Sequence, residues 1–329
     1  MERKIAVITG ANGGLGFGIG CRLLDEVPME VPLTIVVTAR FMLKAVETIG
    51  RLKSYAKERD MLTFDYVLLD LGSFESVIAA AGELVTRYRH IDYLFCNAGG
   101  GDFTGIDWFA ALIEILRGPV MAFTHPHFKR ERRGRISQDG VGWVFQINVA
   151  ANYVLMKSLL SVLNGGGKVV LVSSIETEIS AGFDGDDVQS LRSEQPYVES
   201  KKMLELMHYA IASKWEKEYG VYVYVTHPGI CQTSIFAEHL NVVTTFFMVG
   251  LFYVVRWLGS PWHVISAYKG AIAAVWVATE ADPKIDCVDG VVYGSACDKF
   301  GHEYVRIMKE EGDENDANVL MAELERIVG

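Results

Sequence analysis

Tyr197 and Lys201 stand four positions apart in the run Tyr197-Val198-Glu199-Ser200-Lys201. On a helix that spacing puts both on one face, one turn apart. Pro196, just before them, suits the first turn of such a helix. A tyrosine hydroxyl titrates near about 10, and a neighbouring ammonium lowers that by roughly 1–3 units. The pair can therefore act as a general acid toward an oxygen that is gaining charge. The oxygen also needs holding, and Ser173-Ser174 closes an apolar run, Lys168 to Val172, upstream. One of the two serines, Ser173 or Ser174, is expected to orient it, because adjacent strand positions face opposite ways. Y-x-x-x-K also arises by chance in a chain with 14 tyrosines, and a second copy stands at Tyr153 and Lys157. Context separates the two. A strand ending in serines precedes Tyr197, and none precedes Tyr153.

Proton donation to a carbonyl makes an alcohol only if a hydride also arrives, and hydride carriers are nucleotides. The stretch Lys4 to Gly20, KIAVITGANGGLGFGIG, reads as a site for one. Ile5 to Ile8 is a short apolar run that predicts a buried parallel strand. Glycines follow, and then a helical pattern begins. A strand, a glycine turn and a helix N-terminus together cradle phosphate. The spacing is Thr9-Gly10-x-x-x-Gly14-x-Gly16, and the contacts are expected from Thr9, Gly10, Asn12, Gly14, Leu15 and Gly16. Leu33 to Val37 predicts the second strand, closed by Thr38-Ala39-Arg40. A basic residue there suits the 2′-phosphate of NADP, an acidic one the 2′-hydroxyl of NAD. Arg40 points to NADP(H), and no second basic residue stands in the glycine turn.

The remaining elements keep the same rhythm. Strands are predicted at Phe64 to Leu69, Ile91 to Cys96, Lys168 to Val172, Val221 to Val225 and Gly290 to Tyr293, with helices between them. Ser73 caps the helix after the third. This alternation predicts an α/β fold: a Rossmann-type, doubly wound, parallel seven-stranded sheet with helices on both faces. Ligands then bind at the strand C-terminal ends. Asp70, Asn97-Ala98-Gly99, Pro228-Gly229 and Thr233 all fall at or just past such ends. Asn148 lies in a long helix, Trp143 to Leu163, and the tail predicts an amphipathic helix with Val319, Leu320, Leu324 and Ile327 on one side.

Two stretches break the pattern inside what reads as one domain over residues 1–329. Residues 100–140 hold an apolar piece and a basic run, Lys129 to Arg135, which suits either a solvated loop or an anionic surface. Residues of about 234–262 include Asn241 to Val255, which carries no charge. As a helix it would be about 22 Å long, short for a bilayer core of about 30 Å. It suits a segment lying in a membrane face, with Trp257 and Trp262 at headgroup level, or else a lid or dimer helix. The chain has 329 residues, half of them hydrophobic, and a net charge of −10, which disfavours nucleic acid as a partner. Its mean hydropathy is +0.20. Five scattered cysteines without C-x-x-C spacing argue against a disulfide framework or a metal site and for a reducing compartment. The first strand begins by Lys4, so no signal peptide is expected.

Taken in order, Thr9-Gly10-x-x-x-Gly14-x-Gly16, Asn97-Ala98-Gly99, Asn148, Ser174, Tyr197-x-x-x-Lys201 and Pro228-Gly229 resemble the short-chain dehydrogenase/reductase superfamily over about residues 4 to 295. Ser174 and Tyr197 are 23 positions apart, wider than in most of the superfamily. That loop, the long segment after the fourth strand and the apolar segment after Pro228-Gly229 are most similar to the 3-ketosteroid reductases of sterol biosynthesis. The resemblance implies catalytic Asn148, Ser174, Tyr197 and Lys201. Lys201 would also hold the nicotinamide ribose, Asn148 a water leading to Lys201, and Thr233 the nicotinamide amide. It further implies a sterol-like ketone reduced with NADPH to the 3β-hydroxyl. The place would be the cytosolic face of the endoplasmic reticulum or a lipid droplet, with a homodimer or other sterol enzymes as partners. The other readings are a soluble cytoplasmic reductase of another lipid or secondary metabolite, and a non-catalytic scaffold. The complete Asn-Ser-Tyr-Lys set argues against the scaffold.

Overall fold

The computed structural model describes residues 2–56, 59–179, 182–231, 242–309 and 312–329. The first half of the sheet is laid down by β1 (Lys4–Ile8), α1 (Gly14–Glu26), β2 (Leu33–Ala39), α2 (Met42–Tyr55), β3 (Leu62–Leu68), α3 (Phe74–Arg87) and β4 (Tyr93–Cys96). An excursion follows: β5 (Phe103–Ile106), α4 (Trp108–Arg117), α5 (Pro119–Thr124) and β6 (Lys129–Glu131). The chain returns through α6 (Trp143–Phe145), a π-helical turn (Gln146–Ala150), α7 (Ala151–Ser158), α8 (Leu160–Leu163) and β7 (Lys168–Val172). Next come α9 (Pro196–Tyr219), β8 (Tyr222–His227), α10 (Val242–Trp257), α11 (Ala267–Gly270), α12 (Ile272–Thr279) and α13 (Pro283–Asp286). The last elements are β9 (Val291–Cys297), β10 (Glu303–Lys309) and α14 (Glu314–Val328).

The main sheet has eight strands in the order β10-β9-β8-β7-β4-β1-β2-β3. It is parallel except at β10, which runs antiparallel to β9. The sequence predicts seven strands and misses this edge. Its reason is plain in EYVRIMK: Glu303, Arg306 and Lys309 break up the apolar residues, and Tyr304 and Ile307 are exposed. Charged, half-solvated strands of this kind suit sheet edges. The central strands are apolar on both faces. Ile5 and Val7 enter one core cluster and Ala6 and Ile8 the other; Val169 and Leu171 divide from Val170 and Val172 in the same way. Helices α3, α7, α9 and α14 cover the first face, and α1, α2 and α12 the second. Strand order reverses between β4 and β1, and such a switch point opens a crevice at the strand C-termini.

The second Y-x-x-x-K serves packing. Tyr153 stacks on Trp215 with centroids 6.3 Å apart, and its hydroxyl and the Lys157 ammonium both bind the Glu325 carboxylate. The pair clamps α14, whose Leu320 and Leu324 are fully buried.

The excursion makes a small antiparallel sheet, β5 with β6. Its basic run is not a free cationic patch. Lys129 pairs with Glu176, Arg130 with Asp107 at 2.7 Å, Arg133 with Glu194 at 2.5 Å, and Arg132 and Arg135 with Asp102 at 3.9 and 3.0 Å. In the apolar segment, Phe252 of α10 meets Phe123 of α5 edge-on at 6.0 Å. No helix among the described residues is long and apolar enough to cross a membrane. Trp257 is exposed, whereas Trp262 is buried against His227 at 5.0 Å, so only the first of the two predicted interfacial tryptophans reaches solvent. Thr233 lies outside the described residues.

Candidate active site

The end of β1 is tied to the end of β4 before any ligand is considered. The Thr9 hydroxyl donates to the Phe95 carbonyl at 3.1 Å and accepts from the N–H groups of Asn97 and Ala98 at 2.9 and 2.8 Å. The Asn97 amide donates to the Thr9 carbonyl at 2.8 Å. Thr9 therefore sits beneath the turn as its clamp, away from the cleft. Gly10 and Gly14 have φ of +65° and +48°, the left-handed region that favours glycine. A Cβ on Gly16 would lie 2.3 Å from the Gly10 carbonyl oxygen, so α1 approaches the turn only because residue 16 has no side chain. Gly13, the N-cap of α1, provides no side-chain cap, and the first turn holds no acid. Its N–H groups are left for an external anion.

From this turn a cleft of about 800 Å³ runs along the strand ends. Gly10, Asn12, Gly14, Leu15, Arg40, Asp70, Asn97, Ala98 and Gly99 line it, and it reaches Tyr197, Lys201 and Pro228. Thr9, Gly16 and Gly229 support it from behind. Gly229 has φ +62°, and a Cβ there would meet the Trp262 carbonyl oxygen at 2.5 Å. Asp70 accepts from the Gly72 N–H at 2.9 Å, which shapes the wall after β3. The structure adds lining residues that the sequence did not signal: Lys44, Trp143, Ile147 and the loop Arg135 to Gln138. Lys44 lies in the first turn of α2, a few residues past Arg40 at the end of β2, and both cations line the cleft. The volume, the cradle that a side chain would fill and the two cations suit a dinucleotide phosphate.

At the other end the catalytic candidates converge. Asn148 lies in the π turn, a distortion frequent at functional sites. Its fully buried side chain accepts from the Gly100 N–H at 2.9 Å and donates to the Gly100 carbonyl and the Ser200 hydroxyl, each at 2.8 Å. It thereby ties the β4 turn to α9. Its own carbonyl accepts from the Asn152 amide at 2.7 Å. The Lys201 ammonium donates to the Val172 carbonyl at 2.8 Å and lies 5.7 Å from the centre of the Tyr197 ring. Burial pulls Lys201 down to about 8. Ser174 hydrogen-bonds the Tyr197 hydroxyl. Ser173 instead donates to Glu205 at 2.7 Å and to the Lys201 carbonyl at 3.2 Å.

One expectation is overturned. The Tyr197 hydroxyl is pushed up, not down, from its ordinary value. Burial is the largest cause, followed by the charges of Glu176 and Glu131 and the Cys231 thiol, with the Ser174 hydrogen bond opposing them. The phenol thus holds its proton through the neutral range, the state a proton donor needs.

The sequence matches the family model described as short chain dehydrogenase over residues 4–241. It is 39% identical to the 3-keto-steroid reductase of Candida albicans over 99% of this chain and 93% of that one. The corresponding reductases of Schizosaccharomyces pombe and Saccharomyces cerevisiae are 39% and 38% identical, over 92% and 93% of this chain and 89% of each of theirs. In three dimensions the chain resembles a short-chain type dehydrogenase/reductase from Mycobacterium ulcerans, with a TM-score of 0.56 at 14% identity and 85% of each chain covered. It also resembles a metagenomic short-chain oxidoreductase solved with NADP, with a TM-score of 0.52 at 18% identity over 84% of this chain and 91% of that one. These two likenesses reflect a shared fold.

Proposed function

The chain belongs to the short-chain dehydrogenase family and is an oxidoreductase with a nicotinamide cofactor; on that premise we propose that it reduces the 3-keto group of a sterol intermediate to the 3β-hydroxyl with NADPH. The observation that carries this reading is that Tyr197 and Lys201, one turn apart on α9, both line the cleft, with Ser174 hydrogen-bonded to the Tyr197 hydroxyl. The named activity of relatives such as that of Candida albicans supports the substrate class.

The bound nicotinamide supplies the hydride. Gly10, Asn12, Gly14 and Leu15 would hold the pyrophosphate, Arg40 and Lys44 the 2′-phosphate, and Lys201 the nicotinamide ribose. Asp70, Asn97, Ala98, Gly99 and Pro228 would line the rest, with Thr9, Gly16 and Gly229 shaping it and Thr233 reaching the nicotinamide amide. The Ser174 hydroxyl would hydrogen-bond the carbonyl oxygen and fix its position. Tyr197 would then give its proton to that oxygen as charge develops on it. Lys201, titrating near neutrality, is suited to pass a proton back to the phenolate. A water held near Asn148 would connect Lys201 to solvent. Purified protein given NADPH and a 4-demethylated 3-keto sterol should yield the 3β-alcohol, read by loss of NADPH absorbance and by chromatography. Turnover of unrelated ketones with none of any 3-keto sterol would remove the sterol assignment.

We further propose that the protein lies on a lipid surface from the cytosolic side, on the endoplasmic reticulum or a lipid droplet. Trp108, Phe109, Leu112 and Leu116 are exposed and share one face of α4, and α10 exposes Tyr253, Val254 and Trp257. Helix α5 packs against both α4 and α10. Amphipathic faces rich in Trp, Phe and Leu suit the headgroup boundary. The basic run is engaged in ion pairs, so attachment should rest on apolar side chains and survive salt. Wild-type protein is expected to float with phosphatidylcholine vesicles at high ionic strength, and a Phe109→Asp, Trp257→Asp double variant is expected to stay below. Wild-type protein that never floats would refute the membrane reading and leave α4 and α10 as lid or dimer surfaces.

A further inference from the structure

We propose that Glu131, on the β5–β6 hairpin, is a positioning residue for the reaction: its carboxylate fixes the first turn of α9 and with it the Tyr197 hydroxyl. The inference rests on Tyr197 as proton donor. Helix α9 has Pro196 and Glu199 in its first turn but no side-chain cap of its own. Gln195, its N-cap, makes no side-chain cap, and Pro196 has no N–H to offer. Tyr197 therefore carries the first N–H of the helix, and the Glu131 carboxylate accepts it at 3.0 Å. The cap comes from a strand 66 positions away in the chain. The same hairpin packs the phenol ring. Phe103 of β5 lies 5.6 Å from it, centroid to centroid, with the planes inclined by 60°. The Lys129 ammonium of β6 lies 5.7 Å from the ring centre, the same distance as Lys201. The catalytic side chain is thus held by Ser174 past the end of β7, by Lys201 of its own helix, and from the excursion by Phe103, Lys129 and Glu131.

The arrangement also has an electrostatic consequence. The groups facing the phenol are Glu131 and Lys129 from β6, Glu176 from the turn after β7, Ser174, Lys201 from α9, and Cys231 after β8. Lys129 pairs with Glu176, yet Glu176 still acts on the phenol, ahead of Glu131. Glu131 itself is pushed up to about 7 by burial and by the charges of Glu176 and Glu199, against the Tyr197 N–H and Lys129. As pH rises through neutrality Glu131 gains its charge. A negative charge beside the phenol disfavours phenolate and keeps Tyr197 protonated. That charge adds to the burial that already keeps the phenol protonated, so the pH signature of Glu131 is its own titration near 7.

Three full-length variants test this on NADPH-dependent 3-keto-sterol reduction. Glu131→Ala removes both acceptor and charge. It should lower kcat about tenfold, a displacement of the donor by well under 1 Å, while NADPH affinity holds and the melting midpoint falls only by what one helix cap is worth. Glu131→Gln keeps an acceptor without the charge. It should restore kcat yet remove from the pH profile of kcat/KM the step near 7 that the titration of Glu131 gives wild type. Wild-type kcat and pH profile in Glu131→Ala would overturn the proposal, as would loss of kcat, NADPH binding and fold together, or a step near 7 that persists in Glu131→Gln. Tyr197→Phe separates this from the larger reading. If it is inactive while the Glu131 variants match wild type, only the role of Glu131 falls; if it stays active, the assignment of the proton donor falls and takes this inference with it.

Discussion

Tyr197→Phe should lower kcat for ketone reduction by roughly a thousandfold, in the middle of the 10²–10⁴ range for losing a general acid. At 1.36 kcal/mol per decade that is about 4 kcal/mol of barrier. The change removes one hydroxyl. The ring keeps its contact with Phe103, and the N–H of residue 197 still reaches Glu131. Cofactor affinity should survive, because the glycine turn and Arg40 lie at the other end of the cleft. Equilibrium titration of NADPH fluorescence separates binding from turnover. Tyr153→Phe is the matched control. It loses a hydrogen bond to Glu325, which is worth about 1 kcal/mol of stability, and it should turn over at near the wild-type rate with a slightly lower melting midpoint. An inactive Tyr153→Phe beside an active Tyr197→Phe would place the active site elsewhere.

The parts of this site legible in the sequence are those whose chemistry is local. A strand, a glycine turn and a helix start occur within Lys4 to Gly20, and Tyr197 meets Lys201 within one turn. Strands buried on both faces announce themselves as apolar runs, which is why β1, β2, β7 and β8 were placed to within a residue or two at most ends. The edge strand β10 lacked that signal because only one side of it packs, and the three-residue β6 is too short to have one. What escaped entirely is what distant segments do to one another. The upward shift of Tyr197 comes first from burial and then from Glu176 and Glu131, neither of which lies near it in the chain. Lys129 to Arg135 looks like a cationic patch until Asp102, Asp107, Glu176 and Glu194 are brought beside it. Trp257 and Trp262 look equivalent in sequence, yet the fold buries one against His227.

Arg40→Asp should reverse the choice of cofactor. Arg40 follows β2 directly, is exposed, and lines the cleft beside Asn12 and Lys44. Among the described residues no carboxylate pairs with it, whereas Lys44 is drawn to Glu47 at 3.0 Å. Arg40 is thus the cation more available to a 2′-phosphate, which guanidinium binds through paired, charge-assisted hydrogen bonds. Losing such bonds costs about 1.5–3 kcal/mol, and each 1.4 kcal/mol is tenfold. Aspartate adds repulsion toward the phosphate and an acceptor for the 2′-hydroxyl of NADH. Together these should lower kcat/KM for NADPH about a hundredfold and raise it for NADH, with kcat on a saturating cofactor nearly unchanged. Lys44 should leave a residue of preference, so an Arg40→Asp, Lys44→Ala double variant should move further in the same direction. The measurement is the ratio of kcat/KM for the two cofactors on one ketone. If Arg40→Asp leaves that ratio where wild type has it, the cleft end at Arg40 does not hold a 2′-phosphate and the assignment of NADPH to this site falls.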